Sequence, residues 1–163
     1  MGDRLLRIYM NDQLAAGVLW REVARRSQRA NAGSELGEAL EKVAREIAED
    51  VQTFEGLMKR LGLGRSRFKS PLAMAGERLG RLKLNGRLRG YSPLSRFAEL
   101  DFLIAGIEGK KILWADLRDL AGLSARLPDV DFDALIERAA RQRAALEPFH
   151  ARAGREAFKP GRS

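Results

Sequence analysis

Apolar side chains recur every three or four residues along four long stretches of this chain, and this period constrains the fold more than any other feature. The predicted helices span about 4–30, 34–61, 93–121 and 131–153. No stretch shows the sustained alternation of apolar and polar residues that is typical of strands. The sequence therefore predicts an all-α fold.

Residues that favour helix ends support these boundaries. Ser34 precedes the second helix as an N-cap, and Ser92 with Pro93 opens the third helix. Gly62 and Gly64 follow the second helix, at a position where glycine commonly ends helices. The boundaries thus rest on local chemistry as well as on periodicity.

The lengths of the connections predict how the helices pair. Short loops at 31–33 and 122–130 make the first two helices and the last two helices antiparallel hairpins. The basic crossover at 62–92, with a short helix at about 70–85, is long enough to return the chain to the opposite end. A chain of 163 residues with 45% apolar content can bury one core. We therefore expect residues 1–163 to form a single four-helix bundle domain.

Composition excludes several kinds of protein. The chain has no cysteine, so disulfides and thiolate metal sites are excluded. No apolar run approaches the roughly 20 residues that a membrane-spanning helix needs, and the first residues do not form a signal peptide. We recognise neither a nucleophilic triad nor a phosphate-binding loop in the sequence. We expect a cytoplasmic protein without a membrane span.

Charged side chains are predicted to form one layer in the bundle. If Ser34 and Pro93 lie at the same position along the bundle axis, which we call height, then Asp50 lies at nearly the same height as Gly109. Asp50 also interrupts the apolar face of the second helix. Because each short loop reverses the chain direction, residues from the first and last helices are predicted to lie at this height too. The predicted layer consists of Asp12, Glu46, Glu49, Asp50, Glu108, Lys111 and Arg141.

In its helix lengths, its crossover and the placing of its acids, the chain resembles the ferritin-like superfamily over residues 4–155. The resemblance implies a ferritin-like four-helix bundle. Members with a di-iron centre supply a Glu from each of two helices and Glu-x-x-His from each of the other two. Their activities include ferroxidase, oxygenase and oxidase chemistry, so the resemblance makes iron and manganese the cofactors to consider.

The chain departs from the metal-binding pattern of that superfamily. The second helix offers Glu46-x-x-Glu49 and the third offers Glu108-x-x-Lys111, while no histidine falls in the layer. A lysine or arginine can itself neutralise buried carboxylates. We therefore favour an internal ion-pair network without a cofactor, in which Lys111 or Arg141 stands where a metal would lie.

Two other interpretations of the same acids stay open. They could line ordinary solvated faces, or they could hold iron or manganese in an all-carboxylate oxidoreductase site. The favoured hypothesis makes the protein a non-catalytic interaction or scaffold module that binds a protein partner or a second copy of itself. The candidate metal ligands are Asp12, Glu46, Glu49, Asp50 and Glu108.

One Glu-x-x-His does occur, at Glu147 and His150. Pro148 lies between the two, and the pair falls near Asp101 rather than in the acidic layer. We therefore expect a structural histidine there.

Positive charge is concentrated in one segment. From Lys59 to Arg96 there are eleven Lys or Arg residues against Glu77 alone, giving +10, and since the whole chain carries +8 the remainder carries −2. Such a segment could bind nucleic acid through phosphate contacts, although no zinc-finger or RNA-binding signature accompanies it. The alternatives are a cover for the acidic rims of the bundle, a partner surface and an anionic lipid surface. The candidate anion-binding residues are Arg78, Arg81, Lys83, Arg87 and Arg89.

Two glycines lie three residues apart in the third predicted helix, Gly106 and Gly109. Each costs about 1 kcal/mol of helix stability relative to alanine. We expect them to mark a close approach between helices.

Overall fold

The computed structural model describes residues 2–64 and 91–159, and all regular structure in these two ranges is helical. The all-α prediction is confirmed for this part of the chain. The short helix predicted at about 70–85 lies outside the described residues. The helices are α1 (Gly2–Ala30), α2 (Glu35–Arg60), α3 (Pro93–Asp119), α4 (Leu123–Arg126) and α5 (Phe132–Ala157).

Side-chain caps begin three of the long helices. The Ser34 hydroxyl accepts a hydrogen bond from the Gly37 amide at 3.1 Å, and the Ser92 hydroxyl accepts one from the Ser95 amide at 3.1 Å. Asp131 caps α5 in the same way, by accepting from the amide three residues on at 2.9 Å. The caps predicted at Ser34 and Ser92 are confirmed, because these short polar side chains satisfy amides that lack a partner within the helix.

Helix α5 continues through Pro148, beyond its predicted end near residue 153. A proline removes one backbone donor and crowds the preceding turn. Packing on both sides compensates, since Leu146 and Ala153 are fully buried. Past the helix end, the Phe158 ring meets the Phe97 ring edge to face at 5.1 Å. The end of α5 predicted near residue 153 was wrong, because this tertiary contact cannot be inferred from the local sequence.

The long helices of the described residues form two antiparallel hairpins that pack side by side. Helix α1 packs on α2 and α3 packs on α5, while α1 also contacts α3 and α2 contacts α5. Asn31, in the α1–α2 turn, donates to the Tyr91 hydroxyl at 2.9 Å and accepts from Arg96 Nε at 3.2 Å. The start of α2 and the start of α3 therefore share one end, as the sequence predicts for Ser34 and Pro93.

Two apolar clusters fill the interior, one above the other along the helices. Ile47 and Ile107 belong to the cluster nearer the α1–α2 turn, whereas Val51 and Leu113 belong to the cluster nearer α4. Asp50 lies at the boundary between the clusters. In the part of the chain that the structure describes, no helix combines the length and the apolar character needed to cross a lipid bilayer.

Candidate functional site

The carboxylate of Asp50 is buried at the centre of the helices, with 3% of the residue exposed. Lys110 Nζ, from α3, donates to its Oδ2, and Arg138 Nη2, from α5, donates to its Oδ1. Both carboxylate oxygens are thus held by cations. The three side chains tie α2 to both helices of the second hairpin.

A buried amide extends this cluster. Gln142, 1% exposed, accepts from Lys110 Nζ through its Oε1. Its Nε2 donates to Glu46 Oε2 at 3.1 Å and lies 3.4 Å from Asp50 Oδ2. Gln142 therefore uses both ends of its amide inside the bundle, as a buried amide must if it is not to lose hydrogen bonds.

Arg138 connects the buried carboxylate with the surface. Its Nη1 donates at 3.2 Å to Glu49, whose side chain is half exposed. Burial lowers the pKa of Lys110 below its ordinary value of 10.5, and the Asp50 carboxylate opposes this shift. We call the cluster the Asp50 network, and its members are Glu46, Glu49, Asp50, Lys110, Arg138 and Gln142.

The structure brings together some of the predicted acids and separates others. Glu46, Glu49 and Asp50 lie together. Asp12 is exposed to solvent and belongs to no such cluster. Gly17 lies close to the height of Asp50 instead, since a Cβ added there would be 3.4 Å from Val51 Cγ2. The predicted height of Asp12 was therefore wrong by more than a helical turn.

Glu108 and Lys111 lie at the surface rather than inside. Lys111 Nζ is 2.6 Å from Glu108 Oε1, and Arg143 Nη1 is 2.9 Å from Glu108 Oε2. Hydrogen bonds from Lys111 and then Arg143 lower the pKa of Glu108 below its ordinary value of 4.5. The prediction that Lys111 is an internal cation was wrong, because neighbouring residues on a helix point about 100° apart and Lys110 takes the inward position.

Arg141 is also outside the Asp50 network. Its side chain is 68% exposed and lies 3.7 Å from Glu137, one turn earlier on α5. Arg138 provides the inward cation from this helix. The predicted height was correct, since Arg141 adjoins the buried Gln142 in sequence, but the predicted face was wrong.

These residues do not fit the di-metal centre that a ferritin-like fold implies. Both oxygens of Asp50 already accept hydrogen bonds from cations, and Glu46 accepts from Gln142. Glu108 is drawn outward by its own pair of cations. Within residues 2–64 and 91–159, no group of three or more His, Cys, Asp or Glu side chains is arranged to hold a metal ion.

The Glu147-x-x-His150 pair is split in the structure. His150 Nε2 lies 3.3 Å from Asp101 Oδ1, and its ring stacks on Phe97 at 4.6 Å. Glu147 instead accepts from Arg143 Nε at 2.8 Å. The expected position near Asp101 is confirmed, and the contacts of His150 are those of a packed structural residue.

A second buried acid, Glu99, escaped the sequence reasoning. Arg26 Nη2 donates to it at 2.5 Å, Ser27 Oγ at 2.6 Å and the Tyr91 hydroxyl at 3.1 Å. The available signal was buried polar residues near the end of α1, where Ser27 lies in the last turn of the helix and Asn31 follows in the α1–α2 turn. This cluster joins the two hairpins near the α1–α2 turn.

A cavity of about 320 Å³ opens beside the Asp50 network, between α1, α2 and α3. Small residues provide its space, among them Gly17 on α1 and Gly109 on α3. Aromatic and aliphatic side chains form most of the wall. Asp50 and Lys110 are the two charged residues that line it.

Three Lys or Arg residues at the two ends of the basic segment are among the described residues, and two of them bind acids. Arg60 Nη2 lies 2.6 Å from Asp129, and Arg96 Nη1 lies 3.5 Å from Glu156. Lys59 is exposed in the last turn of α2. The candidate anion-binding residues Arg78, Arg81, Lys83, Arg87 and Arg89 lie outside the described residues.

Comparison of the chain with protein-family models, with curated proteins and with solved structures finds no match.

Proposed function

We propose that the protein is a ferritin-like helical bundle that acts as a non-catalytic interaction or scaffold module, with the Asp50 network in place of a di-metal centre. The long connection between two antiparallel hairpins supports the ferritin-like topology. The binding of Asp50 by Lys110 and Arg138 carries the functional part of the proposal. A carboxylate neutralised by two protein cations needs no metal ion, and the same cations repel one.

The Asp50 network has a structural role in this proposal. A buried ion pair is costly to form but is strongly destabilising to break, because the remaining charge is left without a partner. The Asp50 network draws members from α2, α3 and α5, so it fixes how the two hairpins meet. A scaffold needs such a fixed arrangement, whereas a redox centre needs ligands that can reach a metal.

Exposed apolar side chains at one end of α1 and on α3 support a role in protein interactions. Leu5 and Ile8 are 62% and 50% exposed, and Tyr9 is 37% exposed on the same helical face. Ile112 of α3, 54% exposed, lines the same cavity as Tyr9 and extends the surface across to that helix. We call these four residues the Leu5 patch. Grouped exposed apolar side chains commonly mark interaction surfaces.

Elemental analysis tests the proposal directly. Protein purified without added metal is expected to contain no stoichiometric iron or manganese, and a chelator is expected to leave its melting temperature unchanged. Two bound metal ions per chain that are lost in Asp50→Asn would overturn it, and Glu108→Gln would then show whether Glu108 is also a ligand. Such a result would favour the all-carboxylate oxidoreductase.

The interaction part has its own test, with a second copy of the chain as the first partner to examine. Light scattering after size exclusion is expected to show an oligomer that dissociates in the Leu5→Ser, Ile8→Ser double variant. Leu94→Ser is the matched control, because Leu94 is also exposed (43%) but lies in the first turn of α3. If the wild type is a monomer at every concentration, self-association is rejected.

A further inference from the structure

The cavity beside the Asp50 network has the properties of a small-molecule site. Its volume of about 320 Å³ lies at the lower end of the range for ligand pockets, about 300–1,000 Å³. Apolar walls with a few convergent polar groups are the usual composition of such pockets. The cavity also has a route to solvent, since the lining residues Tyr9, Ala105, Gly109 and Ile112 are exposed.

The backbone around the cavity is shaped by small residues. Ala16 and Gly17 on α1 face Ala105, Gly106 and Gly109 on α3. The Trp20 indole occupies the space above Gly106 and bonds to the Phe102 carbonyl at 3.0 Å, so it closes one end of the opening. A Cβ at Gly109 would meet no atom within 4 Å. The space therefore persists between packed helices and is not filled by neighbouring side chains.

Lys110 retains donor capacity at the cavity. Asp50 and Gln142 engage Lys110 Nζ, but an ammonium carries three N–H donors. A donor without a partner costs free energy, so Lys110 favours a ligand that brings an acceptor.

The cations at the cavity are already paired with acids of the protein. Asp50 pairs with Lys110, and Arg138 pairs with both Asp50 and the partly exposed Glu49. Glu46 adds a further negative charge close to Lys110. An anionic ligand would meet these carboxylates in a poorly solvated space, where an additional charge is costly. The arrangement favours an acceptor that carries no charge.

From these observations we propose that the cavity binds a small, uncharged, mostly apolar molecule with one acceptor oxygen, a carbonyl compound such as an aryl ketone. The oxygen accepts from Lys110 Nζ, and the apolar body lies against the wall between α1 and α3. This proposal goes beyond the scaffold function. Binding in the cavity requires no oligomer, although Tyr9 and Ile112 belong both to the cavity lining and to the Leu5 patch.

Three probes of equal shape test the proposal on the full chain by ligand-observed NMR. They are 2-acetylnaphthalene, its hydrocarbon analogue 2-isopropenylnaphthalene and the anion 2-naphthoate. The ketone is expected to bind about tenfold more tightly than the hydrocarbon, which corresponds to one hydrogen bond from a charged donor. Tightest binding of the naphthoate, equal binding of ketone and hydrocarbon, or binding of none of the three would overturn the proposal.

Paired variants locate the site. Lys110→Met should abolish the preference for the ketone, while Lys111→Met, which alters the neighbouring surface lysine, should preserve it. Lys110→Arg, which keeps a cationic donor beside Asp50, should retain a preference for the ketone, and loss of that preference in a folded Lys110→Arg would count against the proposal even if Lys110→Met folds poorly. Gly109→Phe should weaken all binding by filling the cavity, and Gly56→Phe on α2, away from the cavity, is its control. Unchanged binding in Gly109→Phe would place the probe elsewhere and would reject the site.

Discussion

The Trp20 indole lies directly against Gly106, so that a Cβ added to this glycine would be 1.4 Å from Trp20 Nε1. The indole N–H donates to the Phe102 carbonyl at 3.0 Å, and its ring stacks on the Phe102 ring at 4.8 Å. This contact locks α1 onto α3 beside the cavity. The close approach predicted from the sequence is confirmed at Gly106, whereas Gly109 leaves open space instead.

Gly106→Ala is expected to lower the free energy of unfolding by about 1–3 kcal/mol, because the indole must move and lose its hydrogen bond. Alanine is the better helix former by about 1 kcal/mol, so a purely local effect would have the opposite sign. Gly109→Ala is the control and should raise the free energy of unfolding by up to about 1 kcal/mol. Urea denaturation measures both, and stabilisation by Gly106→Ala would contradict the contact.

Removing the central carboxylate is expected to be far more damaging than removing a surface one. Asp50→Ala leaves Lys110 with no carboxylate that binds it directly and should lower the free energy of unfolding by about 3–5 kcal/mol. Glu108→Ala breaks contacts to Lys111 and Arg143 at the surface and should change it little. Equal effects in urea denaturation would show that the Asp50 network does not stabilise the fold.

The helices and the central acid were predicted well from the sequence because both follow from the apolar periodicity of each helix. Asp50 falls at a position of the apolar face between Ile47 and Phe54, so burial follows from the helical repeat. The cations were predicted less well. Counting residues fixes the height of a side chain along a helix, but the inward face depends on how α3 and α5 pack. The true cations, Lys110 and Arg138, therefore lie one residue and one turn from those predicted.

The Glu99 cluster and the cavity could not be predicted from the sequence. Glu99 gathers partners from α1 and from Tyr91, which are brought together only when the hairpins dock. The cavity depends on the spacing between α1 and α3, which small residues permit but do not determine. Both features arise where the two hairpins pack together, and the periodicity of apolar residues along each helix does not determine how the hairpins pack.

The surface pair around Glu108 should make stability sensitive to acid. The folded-state pKa of Glu108 lies below its unfolded value of 4.5, so its contribution is fully present above pH 4.5 and is lost as the pH falls through the lowered pKa. Urea midpoints of the wild type and Glu108→Gln should therefore differ at neutral pH and converge in acid. A difference that stays constant across this range would mean that the pairs with Lys111 and Arg143 do not favour the ionised carboxylate.

Lys110 should make stability rise with pH as well, but in the alkaline range. Its folded-state pKa lies below the unfolded value of 10.5, because burial outweighs the attraction of Asp50 and Glu46. Between these two pKa values the unfolded chain binds more protons than the folded chain, so this lysine makes the free energy of unfolding rise with pH there. The rise should end near pH 10.5, where the unfolded lysine also loses its proton.

The measurement for Lys110 is the difference in urea midpoint between the wild type and Lys110→Met across this alkaline window. Taking the difference cancels Tyr9 and Tyr91, whose pKa values burial raises and which both variants share. The wild type should gain stability relative to Lys110→Met as the pH approaches 10.5 from below. Lys111→Met provides the control and should show no such gain, since Lys111 lies at the surface beside Glu108. The absence of this gain, followed by a loss of relative stability above pH 10.5, would mean that the pair with Asp50 outweighs burial and keeps Lys110 charged above pH 10.5.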